Sequence, residues 1–380
     1  MTDPRSPKFR PVPTGRLARF SRMGGLATGL AGGVAMGGAK ALARGDRPRL
    51  QDLVMTPANM QRLADRLAEM RGAAMKIGQL MSMEAGDLLP PELEAILARL
   101  RDDAHFMPPA QLKSVLTEAY GADFRKLFKS FDTTPLAAAS IGQVHRARSA
   151  DGNALALKLQ YPGVKQAIDS DLNNAAALIR WSGMVPRDLD LKPLLAEARA
   201  QLHEEADYAR EGAALAEFGS LLADDPRFVV PRLHPSLTRP TALAMSYEPA
   251  EPIEALADAP PAQRDAAIGA LIELCLTELF TFRFMQTDPN FANYRWRAAT
   301  GQIVLLDFGA SRPVPDAVAQ GHLDLLRAGL DGTRTDVLRA LEKLGFIREG
   351  LGPRHQEAIL DMADMGFDLI RGRGVFDFDG

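Results

Sequence analysis

The stretch of sequence that decides the fold runs from Gln286 to Gly309 and reads QTDPNFANYRWRAATGQIVLLDFG. Asp288 and Asn293 stand five positions apart, in a segment whose Asp-Pro-Asn is a turn signal. Two short strand patterns follow, joined through a Thr-Gly turn. The second delivers Asp307 at its end, followed by Phe and Gly. A carboxylate in that place can hold a Mg²⁺ ion that bridges phosphates.

A lysine lies in another strand pattern, Ala154 to Gln160, which pairs through an Asp-Gly turn with the preceding one. Alternate residues of a strand share a face, so the three leucines of this pattern are predicted to face the core. Lys158 then faces the other way, together with Ala156. A lysine there can reach nucleotide phosphates, and the small alanine leaves space for a flat base. Taken alone, a solvent-facing lysine is the better interpretation.

A long helical pattern from about Pro193 to Leu222 contains Glu205 and Asp207. A carboxylate on this helix can pair with Lys158 and hold it in position. Residues two apart on a regular helix point about 200° apart, so the two acids are expected to have different partners. The simpler alternative is one acidic helix face, since Glu204 is adjacent.

These features occur in the order of the protein-kinase fold: strand lysine, helical glutamate, Asp and Asn five apart, and a strand-ended Asp-Phe-Gly. Each alone favours a structural explanation, whereas the four in order favour the functional one. A mixed segment followed by a mainly helical one predicts an α+β fold. The sequence therefore predicts an ATP-binding protein that uses a divalent metal.

Two departures argue against an ordinary protein kinase. No Gly-x-Gly-x-x-Gly loop precedes Lys158. Its place is taken by Ala137, Ala138, Ala139 and Ser140. Alanine carries a Cβ that makes positive φ costly, so this loop should be stiffer. The segment after Asp307 is also short before the next helical pattern, which leaves little room to dock a peptide substrate.

These motifs resemble the UbiB (AarF) family of atypical kinase-like proteins, which is tied to ubiquinone biosynthesis. The resemblance rests on Lys76-Ile-Gly-Gln79, Ala137-Ala-Ala-Ser-Ile-Gly-Gln-Val-His145, Leu157-Lys-Leu-Gln-Tyr-Pro-Gly-Val164, Glu205-Ala-Asp-Tyr208, Gln286-Thr-Asp-Pro-Asn290 with Asn293, and Asp307-Phe-Gly309. It implies a protein-kinase-like two-lobed fold with a helical N-terminal extension packed over the active site. It also implies binding of ATP or ADP with Mg²⁺, and membrane association.

The resemblance further implies roles for individual residues. The catalytic set is Asp288, Lys158, Glu205, Lys76, Gln79 and Asp207. The nucleotide-binding set is Ala137, Ala138, Ala139, Ser140, Ala156, Lys158, Met245 and Tyr247. The metal ligands are Asn293 and Asp307. In this scheme Lys158 pairs with Glu205, Asp288 is the catalytic-loop acid, and Lys76 and Gln79 fold over the site and block peptide access.

The implied activity is ATP hydrolysis or small-molecule phosphorylation coupled to a prenyl-quinone or phenolic lipid precursor, with ubiquinone-biosynthesis enzymes as expected partners. An alternative is a binding module in which nucleotide controls how tightly the chain binds a lipid or a partner, without physiologically important ATP turnover. A degenerate pseudokinase ranks last, because no metal or phosphate position is lost.

Four segments are predicted along the chain. They are a Gly/Ala-rich tail (1–50), a helical extension with the Lys-x-Gly-Gln motif (51–115), a kinase-like N-lobe (116–250) and a C-lobe (251–380). The C-lobe is expected to be incomplete, since many relatives continue past the position of Gly380. The tail has no charge from Met23 to Ala39 and repeats glycine every four residues. It is interpreted either as a membrane-contacting or self-associating helix, with a homodimer as one outcome, or as a flexible tail.

Composition excludes several classes. A formal net charge of −3 gives no basic footprint for nucleic acid. Six scattered histidines show no zinc-ligand spacing. The lone Cys275 rules out an internal disulfide and fits a reducing compartment, so the chain is expected to be cytoplasmic. The resemblance adds the expectation of peripheral membrane association. The sequence contains no strongly apolar run long enough to predict a membrane span.

Overall fold

The computed structural model describes Phe9, residues 57–85, Ile96 and residues 106–181, 191–288, 290–348 and 350–372. Apart from Phe9, the predicted tail lies outside these residues, including its uncharged stretch from Met23 to Ala39. The chain divides into two compact units. The first comprises Met1–Glu251 with Val304–Ala310, and the second comprises Pro252–Ile303 with Ser311–Gly380. The four segments expected from the sequence stay a prediction.

The first unit contains a four-stranded antiparallel sheet. The strands of this part of the chain are β1 Phe128–Ala138, β2 Gly142–Ser149, β3 Ala154–Gln160, β4 Phe228–Val229 and β5 Ala242–Ser246. The sheet order is β1-β2-β3-β5. The predicted β2–β3 hairpin is confirmed, and Gly152 in its turn has φ 87°, a conformation that favours glycine. Pro135 sits at a register shift of the edge strand β1, where a missing N–H is tolerated.

The sheet buries the face predicted from the alternation of leucines. Leu155, Leu157 and Leu159 are all fully buried, in a core that also includes Leu112 and Phe128. Burying a leucine side chain contributes roughly 1.5–3 kcal/mol, so these three residues anchor β3 firmly. The strand that carries Lys158 therefore has a fixed register and orientation.

Six helices of the first unit lie among the described residues. They are α1 Pro57–Glu69, α2 Arg71–Ala85, α3 Pro109–Tyr120, α4 Val164–Trp181, α5 Leu191–Glu205 and α6 Tyr208–Leu221. The prediction of one continuous helix from Pro193 to Leu222 is wrong, because the helix breaks after Glu205. The Asp207 carboxylate accepts hydrogen bonds from the N–H groups of Ala209 and Arg210, at 3.2 and 3.1 Å. It thereby caps a new helix.

The second unit is mainly helical. Its helices are α7 Pro261–Thr277, α8 Asp316–Asp331, α9 Arg334–Leu344 and α10 Pro353–Arg371. The remaining strands of the chain are β6 Glu251–Pro252, β7 Phe284–Gln286, β8 Tyr294–Arg297, β9 Gln302–Leu305 and β10 Ser311–Pro313. Val337, Leu341 and Phe367 belong to the core of α8, α9 and α10. No described helix is long and apolar enough to cross a membrane. Helices and antiparallel strands together give the predicted α+β class.

Gly142, at the start of β2, lies where two strands and a helix meet. A Cβ at this position would be 2.3 Å from the carbonyl oxygen of Leu159 and 3.1 Å from Tyr208 Oη. Because a backbone atom cannot rotate away, Gly142→Ala is expected to lower the free energy of unfolding by roughly 1–3 kcal/mol. Urea denaturation measures this change.

The matched control for that substitution is Gly366→Ala. Gly366 lies within α10, and a Cβ there would meet nothing within 4 Å. Because alanine favours a helix over glycine, this variant is expected to gain roughly 0.5–1 kcal/mol. Equal effects of the two substitutions would contradict the steric explanation.

Candidate functional site

Lys158 is the centre of a buried ion-pair cluster in the first unit. Its Nζ donates to Glu211 Oε1 at 2.7 Å and to Asp307 Oδ2 at 3.1 Å. The side chains of Lys158 and Glu211 are 10% and 1% exposed, whereas that of Asp307 is 36% exposed. Asp307 is thus the carboxylate of this cluster that solvent or a ligand can reach.

The charges of this cluster are set by burial and by its ion pairs. Burial opposes the charge of Lys158, but Asp307 and Glu211 outweigh it and hold the pKa of Lys158 well above its usual value. Burial raises the pKa of Glu211 to about 7, against the lowering effect of Lys158. Burial also acts to raise the pKa of Asp307, but Lys158 and the N–H of Gly309 lower it overall. Lys158 and Asp307 are therefore ionised at neutral pH.

A second ion pair adjoins the first. Lys76 Nζ lies 2.5 Å from Glu205 Oε1, and Ser140 Oγ donates to Glu205 Oε2 at 2.7 Å. The charge of Lys76 also helps to lower the pKa of Asp307, so the two pairs share one electrostatic environment. Gln79 lies three residues further along α2 and is half-buried. The cluster as a whole contains two lysines and three carboxylates.

Helix α2 lies directly on the loop between β1 and β2. A Cβ on Gly72 would be only 3.0 Å from the carbonyl oxygen of Ser140. The small residue at position 72 therefore permits the close approach that brings Lys76 to Glu205. Helix α2 also packs against α4 and α5, so the extension is held on several sides.

The predicted pairing of Lys158 with Glu205 is wrong. Glu211, one helix further along the chain, takes that place, and Glu205 instead pairs with Lys76. The cause is the break between α5 and α6. Because the two helices take different directions, residues before and after the break face different partners. Glu205 and Asp207 do have different partners, as expected, because Asp207 caps α6. Catalytic roles for these two acids stay predictions.

Two residues of the cluster were missed in the sequence. Glu211 shares a helix face with Tyr208, Leu215 and Phe218, which are buried. A carboxylate in such an apolar stripe needs a buried partner, and that is the signal that would have identified Glu211. The ring of Tyr208 lies 5.4 Å from Lys158 Nζ, within cation–π distance.

The predicted nucleotide-binding residues all lie on the sheet of the first unit or immediately beside it. They are Ala137, Ala138, Ala139, Ser140, Ala156, Lys158, Met245 and Tyr247. The N–H of Ala139 donates to the carbonyl of Gly142 at 2.9 Å, which closes the alanine-rich loop into a tight turn. Ala156 pairs with Met245 across β3 and β5, and Tyr247 directly follows β5. The structure thus assembles these residues around one sheet, while their binding role stays a prediction.

Asp288 and Asn293 lie together in a turn of the second unit that follows β7. Asn293 Nδ2 donates to the backbone carbonyl of Asp288 at 3.1 Å. The N–H of Asp288 donates to Gln286 Oε1, and the N–H of Ala292 donates to Asn290 Oδ1 at 3.0 Å. The turn is therefore held by its own side chains. A metal shared by Asn293 and Asp307 stays a prediction, because the two residues belong to different units.

The donor chemistry of these residues fits Mg²⁺. This ion takes oxygen ligands, commonly one or two carboxylates together with substrate phosphates, and Asp307 and Asn293 both carry side-chain oxygens. Glu211 Oε2 is buried and has no hydrogen-bond partner in the described part of the chain. Among residues 57–85, 106–181, 191–288, 290–348 and 350–372, no three His, Cys, Asp or Glu side chains form a metal cluster. When a nucleotide is bound, its phosphates would supply further oxygen ligands.

The chain is similar to known proteins over most of its length. Residues 99–341 match the ABC1 atypical kinase-like domain. The mitochondrial atypical kinase COQ8 of Saccharomyces cerevisiae is 37% identical over 361 residues, which cover 94% of this chain and 72% of that protein. The mitochondrial atypical kinase COQ8B of Rattus norvegicus is 38% identical over 361 residues, covering 93% and 68%.

A solved structure supports the same fold. The complex of Rv3197 with erythromycin from Mycobacterium tuberculosis matches with a TM-score of 0.52 at 28% sequence identity. The match covers 80% of this chain and 79% of that chain. Together with the matched domain, it confirms the kinase-like α+β fold predicted from the motifs.

Proposed function

Because the chain belongs to the ABC1 atypical kinase-like family, the UbiB (AarF) family of its motifs, we propose that it is a Mg-dependent ATPase or atypical small-molecule kinase. The observation that carries this proposal is the contact between Lys158 and Asp307, with Glu211 behind the lysine. A lysine held by a glutamate beside an acidic metal ligand is a recurring part of kinase phosphoryl-transfer sites.

The candidate site residues of both units have defined tasks in this proposal. Lys158 stays cationic and contacts nucleotide phosphates, while Glu211 holds its ammonium group in place. Asp307 stays ionised and is a proposed metal ligand, and Asn293 of the second unit is proposed as a metal ligand as well. Bound Mg²⁺ would neutralise charge on the transferred phosphoryl group. Asp288 orients the attacking hydroxyl or water and accepts its proton.

The proposed acceptor is a small molecule rather than a protein. Helix α2 lies on the β1–β2 loop and is tied to Glu205 through Lys76, so access for a peptide is reduced. Only a short segment separates Asp307 from α8 at Asp316. The acceptor class is a prenyl-quinone or phenolic lipid precursor, in support of ubiquinone biosynthesis at a membrane surface. Peripheral membrane association and contact with ubiquinone-biosynthesis enzymes are parts of the same proposal.

Calorimetric titration of the full chain with ADP, with and without Mg²⁺, tests the binding step. Mg²⁺ is expected to tighten ADP binding in the wild type. In Asp307→Asn, this Mg²⁺-dependent increase in affinity is expected to be roughly 10- to 100-fold smaller. The control is Asp123→Asn, whose exposed carboxylate forms a surface ion pair with Lys126. A wild-type chain that binds no nucleotide would overturn the proposal.

A second candidate is a nucleotide-switched binding module. The Lys76–Glu205 pair favours it, because the pair couples helix α2 to the environment of Asp307. In this case, binding of the chain to vesicles that contain a prenyl-quinone changes with nucleotide and survives Asp288→Asn. If vesicle binding is the same with and without nucleotide, this candidate function is excluded.

A further inference from the structure

We propose that Glu278 is a positioning residue that fixes the turn carrying Asp288 and Asn293. Its effect on turnover rests on the proposed function, whereas its effect on the turn does not. All contacts that carry the inference lie within the second unit. Glu278 belongs to none of the motifs discussed above.

Glu278 is a carboxylate in an apolar setting. It follows α7 directly and begins a five-residue π-helical turn, Glu278–Phe282. It is 5% exposed, and burial raises its pKa to about 7 against the lowering effect of the Gln286 N–H. A buried carboxylate is costly unless it accepts hydrogen bonds, so a specific partner is expected.

That partner is the backbone at the entrance to the catalytic turn. Glu278 Oε2 accepts from the N–H of Gln286 at 3.0 Å. The side chain of Gln286 in turn accepts from the N–H of Asp288, and Asn293 donates to the carbonyl of Asp288 at 3.1 Å. Three consecutive hydrogen bonds thus connect the buried carboxylate with both residues that carry chemistry.

The chain reversal between Glu278 and Gln286 explains why this bond is needed. Arg283 has φ 54°, and among the described residues it is the one non-glycine with positive φ. Such a conformation persists only where the surroundings hold it. The carbonyl of Arg283 accepts from Val314, and Gln286 pairs with Ser311 across β7 and β10. Glu278 closes the reversal from the opposite end, where Gln286 leads into the turn.

Hydrogen exchange of the full chain tests the positioning role without any need for turnover. Glu278→Met removes the acceptor at similar volume, and it is expected to speed exchange of the amides from Gln286 to Asn293 roughly 5- to 30-fold. Glu278→Gln keeps an acceptor oxygen and is expected to stay near the wild type. The control is Glu273→Met, an exposed glutamate on the same helix α7, which should leave these amides unchanged.

Kinetics then separate positioning from stability. Glu278→Met is expected to lower kcat for ATP hydrolysis roughly 10- to 100-fold with unchanged ADP affinity, and Glu278→Gln should restore most of it. Any of three results would overturn the positioning role. They are amide exchange at the wild-type rate in Glu278→Met, an equal loss of kcat in Glu278→Gln and Glu278→Met, and faster exchange across the whole second unit. If the wild type shows no turnover, the proposed function fails, while the exchange comparison still decides the role of Glu278.

Discussion

Asp307→Asn is expected to lower the rate of Mg-dependent phosphate release by roughly 10²–10³-fold, the range seen when one preorganised electrostatic contact is removed from an active site. The carboxylate is the exposed member of the Lys158 cluster and the predicted metal ligand at the end of β9. An amide keeps the shape and one oxygen but removes the negative charge that attracts a cation. Phosphate release from ATP by the purified chain with Mg²⁺ and membrane lipid measures the effect.

The same substitution should leave the fold largely intact. Lys158 retains Glu211 as its buried partner, and an amide oxygen can still accept from the N–H of Gly309. The melting temperature of Asp307→Asn is therefore expected to stay near that of the wild type. Asp123→Asn serves as control, since this carboxylate is 79% exposed and pairs with Lys126 at the surface. Equal rates for the wild type and Asp307→Asn would exclude the enzymatic hypothesis.

The convergence of Lys158 and Asp307 could be predicted from sequence because each lies on a strand with a clear apolar pattern. Alternation of the leucines in β3 decides which face carries the lysine, and the apolar run of β9 decides where the acid emerges. Neither signal depends on how helices pack. The β2–β3 hairpin and its turn were predictable for the same reason, whereas β1 was not predicted.

The partner of Lys158 could not be predicted because it depends on a helix break. The helical pattern continues through Ala206, so periodicity alone predicts one helix on which Glu205 can pair with Lys158. Asp207 caps the second helix by accepting from two backbone N–H groups, and this resets the direction of every later side chain. Glu211 then reaches the lysine. Aspartate is a favoured N-cap residue, but an aspartate beside two glutamates also fits an acidic helix face, so its presence alone did not reveal the break.

The role of Glu278 was hidden for a different reason. Its partner is a backbone N–H eight residues later, and the sequence does not show which backbone group a side chain contacts. The glutamate stands in an apolar helical pattern that looks like ordinary core. The left-handed conformation of Arg283, which brings the two groups together, could not be predicted either, because a non-glycine residue rarely adopts it.

Lys158→Met is expected to lower the free energy of unfolding by roughly 3–5 kcal/mol, as happens when one partner of a buried ion pair is removed. Glu211 would remain almost completely buried and would lose its cation. Urea denaturation measures the loss. Lys126→Met is the control, because its ion pair with Asp123 is exposed and surface pairs contribute little.

The loss should grow with pH, and a second substitution should reverse it. Burial already raises the pKa of Glu211 to about 7, and removal of Lys158 takes away the charge that opposes this rise. A carboxyl group whose folded pKa lies above its unfolded value favours folding at low pH, and this contribution disappears as pH rises through the folded pKa. Lys158→Met is therefore expected to be more destabilising at pH 8 than at pH 5. In Lys158→Met with Glu211→Gln the most deeply buried carboxylate is neutral and Asp307 stays accessible to solvent, so most of the stability should return. If the stability loss of the double variant equals the sum of the losses of the two single variants, the lysine does not act as the counter-ion of Glu211. The same conclusion follows if pH does not change the loss caused by Lys158→Met.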